Sequence, residues 1–408
     1  MIKPEILSPA GDFLKLRMAI QYGADAVYLA GDVFGMRTAS KNFDEKELRD
    51  AVLYAHARSV RVYVTLNTMP RDDEITALPA FLKALSDIGV DAVIVADIGV
   101  FRMVQRFAPK LHIHISTQAS VVNSESARAW YELGAARIVL ARELSLSDIA
   151  RIRENTPREL ELEAFVHGAM CMSYSGRCLL SSFMTGRDAN RGNCAQPCRW
   201  KYSLREETRP HEFFDIYEDG GSYILNSKDL CMVRHIPELV AAGITSFKIE
   251  GRVKTGFYGA TITNAYRMAL DSYFDDPQGF DPDGAWASEV QKVSHREYYT
   301  GFYFGDSDGQ HSEDSSYIRD YGIAAMVMSC DDDGMAVISQ KNRFFRGDTL
   351  ELLEPGLPSV AFVVAEMHDM DGAPLDVAPH AMMQIRLKLP RVACEGAILR
   401  REKCDTDD

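Results

Sequence analysis

The chain has 408 residues, 46% hydrophobic and 25% charged, an ordinary globular composition with enough apolar material for two domains. A formal net charge of −14 excludes a generally basic surface for nonspecific nucleic-acid binding and leaves only a local basic mouth as a route to such a partner. No stretch reaches the roughly 18 to 20 apolar residues of a membrane helix. The opening MIKPEILSPAGDF lacks the basic-then-apolar pattern of a secretory signal, so the expected location is cytoplasmic, with no membrane association.

From the first residues onward one unit recurs: an amphipathic helix stops at Gly, two residues follow, and a short apolar run begins. It is seen at Gly23 before Ala26–Leu29, Gly89 before Ala92–Val95, Gly134 before Arg137–Leu140 and Gly243 before Ser246–Ile249. Glycine suits the stop because it enters the left-handed conformation without a Cβ clash. The run after it suits a strand buried on both faces of a parallel sheet. Strands are predicted near Ile6, Val27, Val62, Val93, Ile113, Ile138, Ala164 and Phe247, with helical patterns between them such as Asp44–Arg58, Ala77–Ile88 and Ser145–Glu154. Eight such units predict an α/β fold, a (β/α)8 TIM-like barrel over residues 1–273. The alternative is a doubly wound open sheet, but the dinucleotide fingerprint is absent after the first strand, where the sequence reads SPAGDF.

Several predicted strands end in groups capable of chemistry: Ser8, Asn67, Asp97, Ser116 with Gln118, Arg142 with Glu143, His167, and Glu250 with Arg252. Barrel active sites occupy that rim. Taken singly, each is only a polar residue where a strand stops; their recurrence favours a site. Between the seventh and eighth strands, residues 167–240 form a long cysteine-rich insertion, and long βα loops are usually functional. Residues 274–320, rich in Asp, Gly, Ser and Pro, read as a connecting segment. Residues 321–400 read as a small C-terminal all-β barrel, from the runs Gly322–Met328, Met335–Ser339, Thr349–Leu353, Ala361–Met367 and Met383–Leu387. Arg343, Phe344, Phe345 and Arg346 in this domain read as a strand flank with ordinary packing in preference to an RNA contact.

Five of the eight cysteines, Cys171, Cys178, Cys194, Cys198 and Cys231, lie in the insertion, whereas Cys330, Cys394 and Cys404 are scattered. In a reducing compartment such a group points to metal or catalysis before disulfides. Zinc often takes paired Cys-x2-4-Cys knuckles, and Cys194 to Cys198 supplies only one. An iron–sulfur cluster accepts thiolates from separated segments and suits the spread better. A third reading pairs Cys171 with His167 as an activated nucleophile, which leaves four clustered cysteines unexplained.

The stretch Glu163-Ala164-Phe165-Val166-His167-Gly168-Ala169-Met170-Cys171, continuing through Gly176, Cys178 and Ser181, resembles the signature of the collagenase-like peptidase family, a U-type peptidase family. The segments TGRDANRGNCAQPCRWKY, NSKDLC, KIEGR and PEILSPAG extend the resemblance along the chain. FMTGRDANRG looks most like the branch that hydroxylates C5 of the tRNA wobble uridine with prephenate as co-substrate.

The resemblance implies a [4Fe-4S] cluster on Cys171, Cys178, Cys194 and Cys231, with Cys198 as the thiol that could replace one of them. It implies His167, Glu163 and Glu250 as catalytic groups, and the tRNA anticodon loop as the macromolecular substrate. Prephenate carries two carboxylates, which Arg142, Arg187, Arg191 and Arg252 could grip, guanidinium being suited to bidentate pairing. Tyr174, Trp200 and Tyr202 are candidate platforms for a splayed base, and Lys201, Lys248 and Lys254 for phosphates. A homo-oligomer or a partner subunit is compatible with the same reading. The alternatives are a peptidase, although HExxH and GxSxG are absent, and a noncatalytic cluster-bearing partner subunit.

Overall fold

A computed structural model describes residues 2–32, 42–171, 173–200, 204–205, 213–214, 227–305 and 317–403. Lys201, Tyr202 and Cys404, singled out above, lie outside these residues. The chain divides into two compact units, one of Met1–Ile20, Ala24–Lys254 and Arg296–Tyr317, the other of Gln21–Gly23, Thr255–His295 and Ile318–Asp408.

The first unit is built on eight strands: β1 (Glu5–Pro9), β2 (Ala26–Leu29), β3 (Arg61–Leu66), β4 (Ala92–Val95), β5 (His112–Ile115), β6 (Arg137–Val139), β7 (Glu161–Ala169) and β8 (Ser246–Ile249). Neighbours pair in parallel in chain order, and β8 pairs with both β1 and β7, so the sheet closes into the predicted barrel. All eight predicted strands are present. They are buried along nearly their whole length, as expected where side chains fill the barrel on one face and helices cover the other.

The helices form where the sequence supplies both a stripe and a start signal. Asp44 caps helix Glu45–His56 through a capping box with Glu47, and Ser145 does the same for Leu146–Glu154 through Asp148. The repeated stops hold, since Gly23, Gly89, Gly134 and Gly243 all have φ between 83° and 109°.

One interior layer of the barrel is ionic. Arg137, 2% exposed, bonds Glu5 and lies 2.9 Å from Glu163 Oε2. Ser246 Oγ donates to Glu5 at 2.9 Å, and Tyr63 OH donates to its other oxygen at 3.0 Å. Buried charges persist only when paired and hydrogen-bonded, and these are.

In the cysteine-rich insertion, a short strand Asp229–Cys231 runs antiparallel to the end of β7, placing Cys231 opposite His167. Tyr298–Tyr299 pairs beside it, so part of the segment read from sequence as a connector contributes a strand to this unit. Tyr303 anchors the same stretch, its buried hydroxyl donating to the Phe165 carbonyl at 2.5 Å.

The second unit contains helix Gly256–Asp275 and an antiparallel sheet that includes Tyr321–Cys330, Met335–Gln340, Thr349–Leu353, Val360–Val363, Gln384–Lys388 and Ile398–Glu402. Its core holds Val327, Ile338, Phe344, Leu352, Ile385 and Leu399. Of the Arg343–Arg346 run, Phe344 is fully buried and Phe345 is 45% exposed.

Candidate functional site

A cavity of about 470 Å³ opens where the strands of the first unit end. Its floor comes from strand residues Tyr28, Thr65, Ile94, Phe165 and Lys248, and its rim from Asn67, Ser116, Gln118, Arg142, Glu250 and Arg252. Six of the polar residues read from sequence at strand ends therefore meet at one mouth. The others have different work. Asp97 caps the helix Ile98–Phe107 by accepting the Val100 N–H at 2.9 Å, Ser8 is fully buried in β1, and Glu143 and His167 stand behind the lining.

Charge is concentrated here. Arg142, Arg199, Lys248, Arg252 and Lys254 line the cavity against one carboxylate, Glu250, in a chain of net charge −14. Such a mouth attracts anions. Lys248 is 4% exposed, its Nζ 2.6 Å from Glu163 Oε1 and 4.7 Å from the centre of the Tyr28 ring. Glu163 itself is fully buried, with Arg137 on its other oxygen. Burial pushes its carboxyl up, but Lys248 and Arg137 outweigh burial and hold it below the usual carboxylate value. Arg252, 3% exposed, donates to Thr65 Oγ1 at 3.2 Å, and Arg142 donates to the Ala169 carbonyl at 3.2 Å. Tyr28 OH donates to the Ile249 carbonyl at 2.9 Å and lies 3.5 Å from Glu250 Oε2.

One wall is a phenol ringed by cations, which the sequence did not signal because it ends a stretch read as connector. Tyr317 accepts from Arg296 Nη1 at 2.9 Å and from Arg199 at 3.5 Å, and Lys254 Nζ lies 4.0 Å from its ring centre. Burial raises the phenol's pKa, but Lys254, Arg296 and Arg199 outweigh burial and bring it below the ordinary tyrosine value, with Asp229 opposing them. Burial lowers the ammonium pKa of Lys254.

The other wall carries sulfur. Cys171, Cys178, Cys194 and Cys198 all line the cavity. Burial raises the Cys198 thiol's pKa; Arg199 opposes this, and the nearby Cys171, Cys194 and Cys178 add to it. Cys231 does not line the cavity. The insertion is held in shape by short polar clasps: Asn190 Nδ2 donates to the Cys178 carbonyl at 2.8 Å while its oxygen accepts the Cys178 N–H at 3.2 Å. The buried Ser181 hydroxyl accepts the Ala195 N–H at 3.0 Å. Among the described residues, no three His, Cys, Asp or Glu side chains stand close enough to share one metal ion.

Of the remaining predicted residues, His167, Arg187, Arg191 and Trp200 lie outside the lining. His167 is 1% exposed and its Nε2 faces Tyr298 OH at 3.3 Å. Arg191 pairs with Glu74, and Arg187 donates to Asn193 at 2.9 Å. Tyr174 lines the mouth and is 68% exposed, whereas Trp200 is exposed but outside the lining. Among the described residues, no helix is long and apolar enough to cross a membrane.

The sequence profile of peptidase family U32 matches residues 11–313, and that of the peptidase family U32 C-terminal domain matches 319–400. The chain belongs to peptidase family U32. It is 36% identical to tRNA hydroxylation protein P1 of Bacillus subtilis (strain 168), over 98% of this chain and 95% of that one. It is 33% identical to tRNA hydroxylation protein P of Escherichia coli (strain K12), over 96% and 95%. With the 23S rRNA 5-hydroxycytidine C2501 synthase of Escherichia coli (strain K12) it shares 39% identity over 67% of this chain and 40% of that one.

Proposed function

We propose that this chain is an RNA hydroxylase that forms 5-hydroxyuridine at the tRNA wobble position, using prephenate and a [4Fe-4S] cluster. The observation that carries the reading is the cavity itself: cationic in an acidic chain, bordered by four thiols, in a relative of proteins named for tRNA hydroxylation.

The donor set fits such a group. Thiolates are the ligands that iron–sulfur clusters take, and a cluster spreads them over several irons where zinc gathers four about one ion. Cys171, Cys178 and Cys194 are common to the sequence expectation and to the cavity wall, and the cavity adds Cys198 where the resemblance suggested Cys231. When bound, the cluster supplies redox chemistry that side chains lack.

The chain's own residues supply binding. Arg252 and Arg142 suit the carboxylates of a small dianion, with Lys248 at the floor as a further cation held in place by Glu163. Tyr174 at the mouth offers a face on which an unstacked base can lie. Glu250 and the Tyr317 phenol are the lining groups suited to accept a proton, the latter because its cations stabilise the phenolate.

The test is nucleoside analysis of tRNA from cells lacking this gene and complemented with it. The reading expects 5-hydroxyuridine-derived nucleosides to vanish with deletion, return with the wild-type gene, and stay absent with Arg252→Ala. Unchanged nucleosides in the deletion strain, with no other family member present, would reject it.

A further inference from the structure

We infer that Glu143 and the Ser175–Gly176 pair form a latch that positions the thiols of Cys171 and Cys178 at the cavity. The inference rests on the cluster reading above and assigns positioning residues that are not themselves ligands.

Glu143 follows β6 and does not line the cavity. Its Oε1 accepts the backbone N–H of Ser175 at 2.8 Å and faces the Ser175 hydroxyl at 3.4 Å. From the loop after β5, the Ser120 hydroxyl donates to the Ser175 carbonyl at 2.5 Å, and Thr117 Oγ1 lies 3.3 Å from Ser175 Oγ. Ser175 is thereby held at its N–H, its carbonyl and its hydroxyl, and is 3% exposed. A residue this thoroughly engaged is a fixed point in an otherwise irregular segment.

Gly176 completes the latch. Its φ is +75°, and a Cβ at this position would stand 2.3 Å from the Gln118 carbonyl oxygen, so backbone meets backbone here with no room for a side chain. The Arg177 N–H returns to the Tyr174 carbonyl at 3.1 Å and closes a turn around the pair. The loops after β5 and β6 thus grip one short turn of the insertion. Ser175 in that turn sits four residues after Cys171 and three before Cys178, so a single seat sets the approach of both thiols, with Asn190 fixing the far side of Cys178. Glu143 Oε2 is buried without a hydrogen-bond partner among the described residues, so the hydrogen bonds of this carboxylate to them all run from Oε1 to Ser175.

The test compares full-length wild type, Glu143→Ala, Glu143→Gln and Gly176→Ala, prepared anaerobically. Iron and sulfide content and the electron paramagnetic resonance of the reduced protein are read alongside amide exchange over residues 171–178 in metal-free protein. Glu143→Ala should speed exchange at the Ser175 amide by on the order of tenfold, the effect of one lost hydrogen bond. It should also lose most of its iron and alter the resonance while its melting transition stays in place. Gly176→Ala should behave alike, and Glu143→Gln, which keeps an acceptor oxygen, should restore iron and resonance. Wild-type iron, resonance and exchange in Glu143→Ala would overturn the latch, as would equal iron loss in Glu143→Gln. If the wild type holds no iron, the cluster reading fails by itself, and the exchange comparison in metal-free protein alone decides the latch.

Discussion

Lys248 Nζ stands 2.6 Å from Glu163 Oε1, so a lysine at the floor of the cavity is held by a carboxylate that is itself fully buried. Within the family signature, Glu163 lies outside the cavity lining and is the counterion that joins Lys248 to Arg137.

That relationship predicts a stability effect. Glu163→Ala leaves Lys248 and Arg137 buried without their shared partner, at a cost of about 3–5 kcal/mol by chemical denaturation at neutral pH. The folded carboxyl is held below its ordinary value, so its contribution is complete above the unfolded pKa and lost as pH falls through the lower folded one. Wild type should therefore lose stability on the acid side more steeply than Glu163→Gln.

Tyr317 should ionise at lower pH than ordinary tyrosine, because Lys254, Arg296 and Arg199 outweigh its burial, whereas Tyr22, Tyr63 and Tyr303 are raised by burial. An ultraviolet pH titration should show an early phenolate step. That step should disappear in Tyr317→Phe and move to higher pH in Arg296→Gln.

Alanine at Cys171, Cys178 or Cys194 should each abolish iron retention in anaerobic protein. Cys198 lies among those three thiols on the cavity wall, so Cys198→Ala should also lose iron while Cys231→Ala keeps it. The reverse pattern would assign the fourth position to Cys231.

Two of the four arginines that the sequence offers for the substrate, Arg252 and Arg191, should separate. Arg252 is buried in the lining, and Arg252→Ala should lower RNA hydroxylation roughly 30- to 5,000-fold, the effect of losing a buried charged anchor at about 2–5 kcal/mol. Arg191 is partly exposed and engaged with Glu74 outside the lining, so Arg191→Ala should leave the rate near wild type. Rate measurement on purified tRNA checks both.

The barrel was legible because each helix stop, apolar run and strand-end polar group follows from local chemistry. Gly89, Val93 and Asp97 can be read in a single short window. Ile398–Glu402 is not among the β runs read from sequence because Arg400, Arg401 and Glu402 are all charged, yet Arg400 is fully buried against Glu289 and Glu351, a pairing across distant sequence. Tyr317 was hidden for the same reason: its meaning depends on Lys254, Arg296 and Arg199, which arrive from three separate segments. The thiols were found by density alone, but which of Cys198 and Cys231 faces the other three was not encoded in spacing.

The most direct measurement incubates anaerobically purified, iron-loaded protein with tRNA from a strain lacking the modification, together with prephenate, and analyses the nucleosides by mass spectrometry. The account predicts 5-hydroxyuridine at the wobble position, dependent on both prephenate and bound iron. Fully loaded protein that leaves the tRNA unchanged but cleaves denatured collagen would contradict it.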